Sequence, residues 1–196
     1  MWGLSNGVAV LSVSAAFWIG LAAWTLGTNV LLIASAPILV LAGLLIWQGL
    51  RLRRLAPGFS RASLRNAPKG SSIHRIGVGF NVVGAVQTLS IGLVGFICWK
   101  LNRTDLLWPL IGLVISLHFL PLGWIFSIRP YYVLGVLGTV VALASLFGFT
   151  ATTRTLAVGL GLGLVIGGCA LYLVAYAAAL ADAALRQSSL KTDAPA

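Results

Sequence analysis

In this chain of 196 residues, 59% are hydrophobic, only 8% are charged, and the formal net charge is +10; mean hydropathy is +1.02. A soluble domain carries about 25% charged residues, and a surface this apolar cannot be covered in water. The composition therefore excludes a water-soluble globular domain and makes a lipid bilayer the solvent.

A spanning helix needs about 20 consecutive apolar residues. Six runs meet that length, over 7–27, 29–50, 76–99, 106–128, 131–150 and 156–181. None holds a charged residue before its last turn. The runs are continuous rather than alternating, which argues for helices over barrel strands. The expected fold is all-α: one domain over 1–196, a polytopic membrane bundle of six transmembrane helices.

In the first helix Ala9, Ser12, Ala16, Gly20, Ala23 and Gly27 recur every three or four residues, a stripe that lets helices approach closely in lipid. Pro37 interrupts the second helix and frees the carbonyl of Ile33. Residues 51–75 then form a polar connection carrying Arg51, Arg53, Arg54, Arg61, Arg65, Lys69 and Arg75. The positive-inside rule puts this loop in the cytoplasm, so six spans place both termini inside. Arg129, Arg186 and Lys191 then fall inside as well, against Lys100, Arg103 and Arg154 outside. No basic n-region precedes the first run, so helix 1 is expected to be retained rather than cleaved. The loop's cations suit anionic phospholipid headgroups better than nucleic acid.

The third helix repeats the small-residue pattern with Gly77, Asn81, Gly84, Thr88, Gly92 and Gly95, the fifth with Gly135, Gly138, Ala142 and Ser145, and the sixth with Gly159, Gly163 and Gly167. These stripes predict a tight bundle and offer a homo-oligomer face. Trp2, Trp47, Trp99, Trp108, Tyr131 and Tyr132 fall near helix ends, as an interfacial aromatic belt requires.

Polar residues at bilayer depth are few. Gln87 lies about 16 Å into the third helix and His118 about 18 Å into the fourth, so both fall near the midplane of a core about 30 Å thick. Asn81 joins them, with Tyr172 and Tyr176 at a comparable depth as its partners. Pro121 frees the carbonyl of Leu117 beside His118. Broken helices with polar groups at mid-membrane are where transporters build sites; an interhelical hydrogen bond is the simpler use of the same residues.

Other chemistries fit poorly. Asp105, Asp182 and Asp193 lie at ends or in tails, leaving no membrane carboxylate for ion coupling. Ser145 and His118 lack the surroundings of a protease dyad, so no catalytic residue and no enzyme activity is expected. Two histidines, one in the loop, make no metal or haem site, and no cofactor is expected. Cys98 and Cys169 differ too far in depth to be bridged.

The stretch Trp108-Pro109-Leu110-Ile111-Gly112-Leu113, with Leu117-His118-Phe119-Leu120-Pro121-Leu122 and the Tyr131-Tyr132 pair, resembles small six-helix bacterial inner-membrane proteins that are uncharacterised. The resemblance implies a bacterial inner membrane and carries over no activity. The expected function is permeation of a small solute through a midplane polar site of Gln87, His118 and Asn81, shaped by Pro37 and Pro121. The alternative is a non-transporting protein that binds lipids or partner helices.

Overall fold

The structure is a computed structural model that describes residues 2–27 and 72–192, with Gly43 and Trp47 between them. Five long helices are described: α1 (Trp2–Thr25), α2 (Ser72–Lys100), α3 (Leu107–Phe126), α4 (Arg129–Gly148) and α5 (Ala151–Thr192). A 3-10 turn, Thr104–Leu106, leads into α3. Four of these helices are long and apolar enough to cross a membrane, by length and composition, and Val10–Thr25 of α1 is a shorter apolar stretch. The helix expected over 29–50, with Pro37, lies outside the described residues save Gly43 and Trp47. So do Arg51, Arg53, Arg54, Arg61, Arg65 and Lys69.

Helix ends differ from the sequence reading for identifiable reasons. α2 begins at Ser72, so Arg75, expected in the loop, stands in its first turn and is exposed. An arginine's long stem tolerates a helical position provided its guanidinium reaches a polar medium. α5 was expected to stop at 181 and runs to Thr192. At 1.5 Å per residue its 42 residues reach about 63 Å, roughly twice the hydrocarbon thickness. Alanine and leucine continue the helix after the apolar run has ended, because helix propensity does not depend on hydropathy.

The short connections are set by left-handed caps. Asn102 (φ 52°) closes α2: its N–H donates to Trp99 O at 3.1 Å and Arg103 N–H donates to Cys98 O at 2.9 Å. Ser127 (φ 54°) closes α3 in the same way, with Ile128 N–H on Gly123 O at 3.1 Å. These are Schellman caps, which satisfy carbonyls that a helix end leaves open. Pro130 then stands in the first turn of α4, where its missing N–H costs nothing.

α1 and α4 pack antiparallel to α5, and α3 runs parallel to it, with Gly112 against Val158 and Leu162. A methyl group at Gly159 would meet the Trp18 carbonyl oxygen at 2.8 Å and Ala22 at 2.9 Å, one at Gly163 would meet Ile19, and one at Gly167 would meet Ala15. α1 therefore runs down α5 with its backbone nearly touching. Its buried face is Val8, Leu11, Ser12, Ala15, Trp18 and Ala22. The described helices thus use the expected stripe on helix 1 only in part, because Gly20 and Gly27 meet none of them. Trp18, about 1% exposed, shifts the seam away from them by filling the gap beside Val158 and Leu162 near Gly112.

On the other side, Gly135 and Gly138 of α4 receive Leu120 and Ser116 of α3. Gly135, Gly138, Ala142 and Ser145 are all buried. Tyr131, expected in the interfacial belt, is 6% exposed and belongs to the core, with its ring 5.8 Å from Phe119. Trp108 packs edge-on to Trp18 at 6.4 Å, whereas Trp99 remains 70% exposed and Tyr132 40%. α2 lies along α3 with Gly79 against Ile125 and Phe80 beside Phe126 at 6.0 Å. The rest of its small-residue stripe is unused by the described helices, since Gly77, Gly84, Gly92 and Gly95 each face open space among them.

Buried hydroxyls are satisfied within their own helices. Ser12 donates to Val8 O at 2.6 Å, Ser116 to Gly112 O at 2.8 Å and Ser145 to Val141 O at 2.8 Å. Back-bonding of this kind lets a serine fill a small-residue position in lipid without seeking a partner across the interface.

Gly159→Leu is expected to destabilise the bundle by about 1–3 kcal/mol, as overpacking against backbone does. Gly168→Ala on the same helix, where a methyl group meets nothing, should change stability by less than about 1 kcal/mol or raise it through helix propensity. Thermal unfolding of the two variants in one detergent measures the contrast.

Candidate functional site

The residues expected at mid-membrane occupy α2 and α3. Because Gly79 packs on Ile125 and Phe80 beside Phe126, equal steps along the two antiparallel helices bring Gln87 level with the stretch from Leu117 to Phe119, which holds His118. Both Gln87 and His118 are half-buried. They do not hydrogen-bond to each other. His118 Nδ1 bonds the Ile115 carbonyl oxygen of its own helix, one turn back, which puts the proton on that nitrogen. Its ring also lies 4.2 Å from that of Phe119.

Asn81 is exposed on the face of α2 turned away from α3. Tyr172 and Tyr176 do not meet it: they stack on each other, 6.3 Å between centroids and 6° between planes. Two exposed tyrosines one turn apart on the same helix find each other more readily than a residue on another helix. Pro121 is exposed, and α3 continues through it to Phe126. Ser145 is occupied by Val141 O and His118 by Ile115 O, so they form no nucleophile–base pair. Cys98 is buried, Cys169 is half-buried, and both are free thiols. Among the described residues no three metal-ligating side chains converge.

The ion pairs among the described residues lie elsewhere, at the end of the bundle where α2 stops and α3 and α5 begin. Arg154 Nη1 donates to Asp105 Oδ2 at 2.5 Å across 49 residues of sequence. Arg103 Nε donates to Asp105 Oδ1 at 3.1 Å from the other side. The carboxylate and Arg154 are mostly covered, with side chains 22% and 18% exposed, whereas Arg103 is 52% exposed. Arg154 Nε is buried without a hydrogen-bond partner, so the covered guanidinium depends on Asp105 for its compensation. The sequence reading uses Arg103 and Arg154 as topology markers and Asp105 only as a carboxylate outside the apolar runs, and does not pair Asp105 with Arg154. The available signal was their position, since both fall at the beginnings of apolar runs assigned to the same side of the membrane.

Near this end, α4 and α5 part to leave a cleft of about 490 Å³ between Val141, Ala144, Phe149, Thr153, Leu156 and Leu160. Its lining is largely apolar and it is open to the surface of the bundle. Thr153 forms its polar rim, with its hydroxyl 3.0 Å from that of Thr150, which lies 3.1 Å from Thr152.

Arg154→Met is expected to lower the thermal midpoint more than Arg103→Gln, because only Arg154 is covered at the ion pair. Asp105→Asn combined with Arg154→Met should cost less than the two single losses added, the signature of a direct pair in a double-mutant cycle. Compared with family models, curated proteins and solved structures, the chain matches none.

Proposed function

We propose that this multi-pass membrane protein crosses the bilayer six times, with both termini in the cytoplasm, and acts by binding lipids or partner helices rather than by catalysis. The sixth span is supported by the ends of the described helices. α1 finishes beside the start of α5, since Ala22 packs on Gly159. α2 starts beside the end of α3, since Gly79 packs on Ile125. Gly27 and Ser72 thus lie at opposite ends of the bundle, and the chain between them has to pass from one to the other. Residues 29–50 are apolar and long enough to do so, and the cations from Arg51 to Lys69 follow them. A bacterial inner membrane is the location that fits the resemblance carried by α3.

The observation that carries the lipid-binding reading is the lateral cleft between α4 and α5, apolar and open to the surroundings of the bundle. The positive excess of the chain adds attraction to anionic headgroups. The solute-permeation reading is favoured by one observation, the level placement of Gln87 and His118 on adjacent helices. For that reading the imidazole nitrogen not bonded to Ile115 and the Gln87 amide supply the polar contacts.

Reconstituted protein separates the two. If lipid binding is the function, Arg51→Gln/Arg53→Gln/Arg54→Gln weakens sedimentation with phosphatidylglycerol vesicles by about fivefold per cation in surface contact. His118→Ala then alters only thermal stability. Loss of a measurable solute flux in folded His118→Ala protein would instead establish permeation. Cysteines placed at Ser60 and Thr152 are expected to label from opposite sides of sealed vesicles. Labelling from the same side would overturn the six-span topology.

A further inference from the structure

The cleft between α4 and α5 combines three features that belong together in a lipid. Its walls, from Val141 and Ala144 to Leu156 and Leu160, are aliphatic, and they stand on helices long and apolar enough to span the membrane. What enters from the side is therefore hydrocarbon rather than water. Its upper end closes on a polar rim, the linked hydroxyls of Thr150, Thr152 and Thr153. Beyond the rim the charge is unbalanced among the described residues: Asp105 is the one carboxylate at this end, bonded by Arg103 and Arg154, and Lys100 at the end of α2 adds a further cation. The first turn of α5 adds the positive end of its dipole at the same level. An apolar slot beneath hydroxyl donors and excess positive charge complements a chain attached to an anionic head.

We propose that this cleft holds an acyl chain of an anionic phospholipid, whose phosphate is met by the Thr150–Thr153 hydroxyls and the cationic cluster around Asp105. The proposal rests on the lipid-binding reading above and adds a site to it. This site is at the Arg154 end of the bundle, opposite the end where Arg75 begins α2, and so is distinct from contacts made by the basic loop.

The test uses the full chain in mild detergent, equilibrated with palmitoyl-oleoyl phosphatidylglycerol or palmitoyl-oleoyl phosphatidylcholine, with retained lipid counted by native mass spectrometry. One phosphatidylglycerol is expected per chain, held about fivefold or more tightly over phosphatidylcholine. Ala157→Phe, which fills the cleft from α5, should reduce its retention about tenfold. Ala144→Phe fills it from α4 and serves if the first variant unfolds. Lys100→Gln/Arg103→Gln should reduce the preference for the anionic head while the same amount of phosphatidylcholine is kept.

Equal retention of the two lipids by the unmodified protein, or undiminished phosphatidylglycerol on a folded cleft-filling variant, overturns the proposal. If that lipid is lost instead on Arg51→Gln/Arg53→Gln/Arg54→Gln, the lipid-binding reading stands and the cleft is not its site. If the unmodified protein retains no phospholipid and ignores anionic vesicles, both fail.

Discussion

The distance of closest approach between α1 and α5 is the constraint on which the rest of the bundle depends. Lipid tails solvate leucine as well as leucine does, so association in a bilayer needs close van der Waals contact rather than exclusion of water. Gly159 lets the Trp18 carbonyl come within the space that a side chain would occupy, and Gly163 does the same for Ile19. With α1 seated there, Val158, Leu162, Ile166 and Leu173 of α5 are completely covered, as are Val8, Leu11 and Trp18 of α1. α4 and α3 then close the other flank through Gly135 and Gly138. The same glycines that weaken an isolated helix make the contact possible.

That economy extends to polar groups. Hydrocarbon offers no water to an unmet donor or acceptor, and the buried serines answer by bonding the carbonyl four residues back. His118 does the same with the carbonyl of Ile115, three residues back. The consequence for function is direct: groups that appear as an interhelical polar site when read along the sequence can be satisfied within one helix. Charge follows the opposite course, because no carbonyl can neutralise a guanidinium. Arg154 reaches across to Asp105, and this pair joins the start of α5 to the start of α3 at the polar end of the bundle.

Legibility divides along the same line. Apolar runs revealed α1 through α5 because bilayer thickness demands a minimum length, and the Gly135–Ser145 stripe was readable because all of its members face one way. Helix ends were less so: Asn102 and Ser127 stop helices through left-handed caps that their residue types permit without requiring. Among the candidate site residues, the common level of Gln87 and His118 followed from counting residues along their helices. Their lack of a mutual bond did not, since it depends on side-chain direction. The pairing of Asn81 with Tyr172 and Tyr176 failed because depth alone says nothing about which helices are neighbours.

The sequence by itself determined the solvent, the helical class and the positions of most described spans, since these depend on composition and run length alone. It also placed small residues wherever backbones come close. Only the tertiary structure decided which stripes are used: those of α4 and α5 are packed, while Gly77, Gly84, Gly92 and Gly95 of α2 meet none of the described helices. It likewise decided that Trp18 and Tyr131 are core, that Asp105 belongs to Arg154, and that α4 and α5 leave a lateral cleft. Each of these is a relation between residues far apart in the chain, set by how helices rotate about their axes as they pack, and hydropathy carries no information about that rotation.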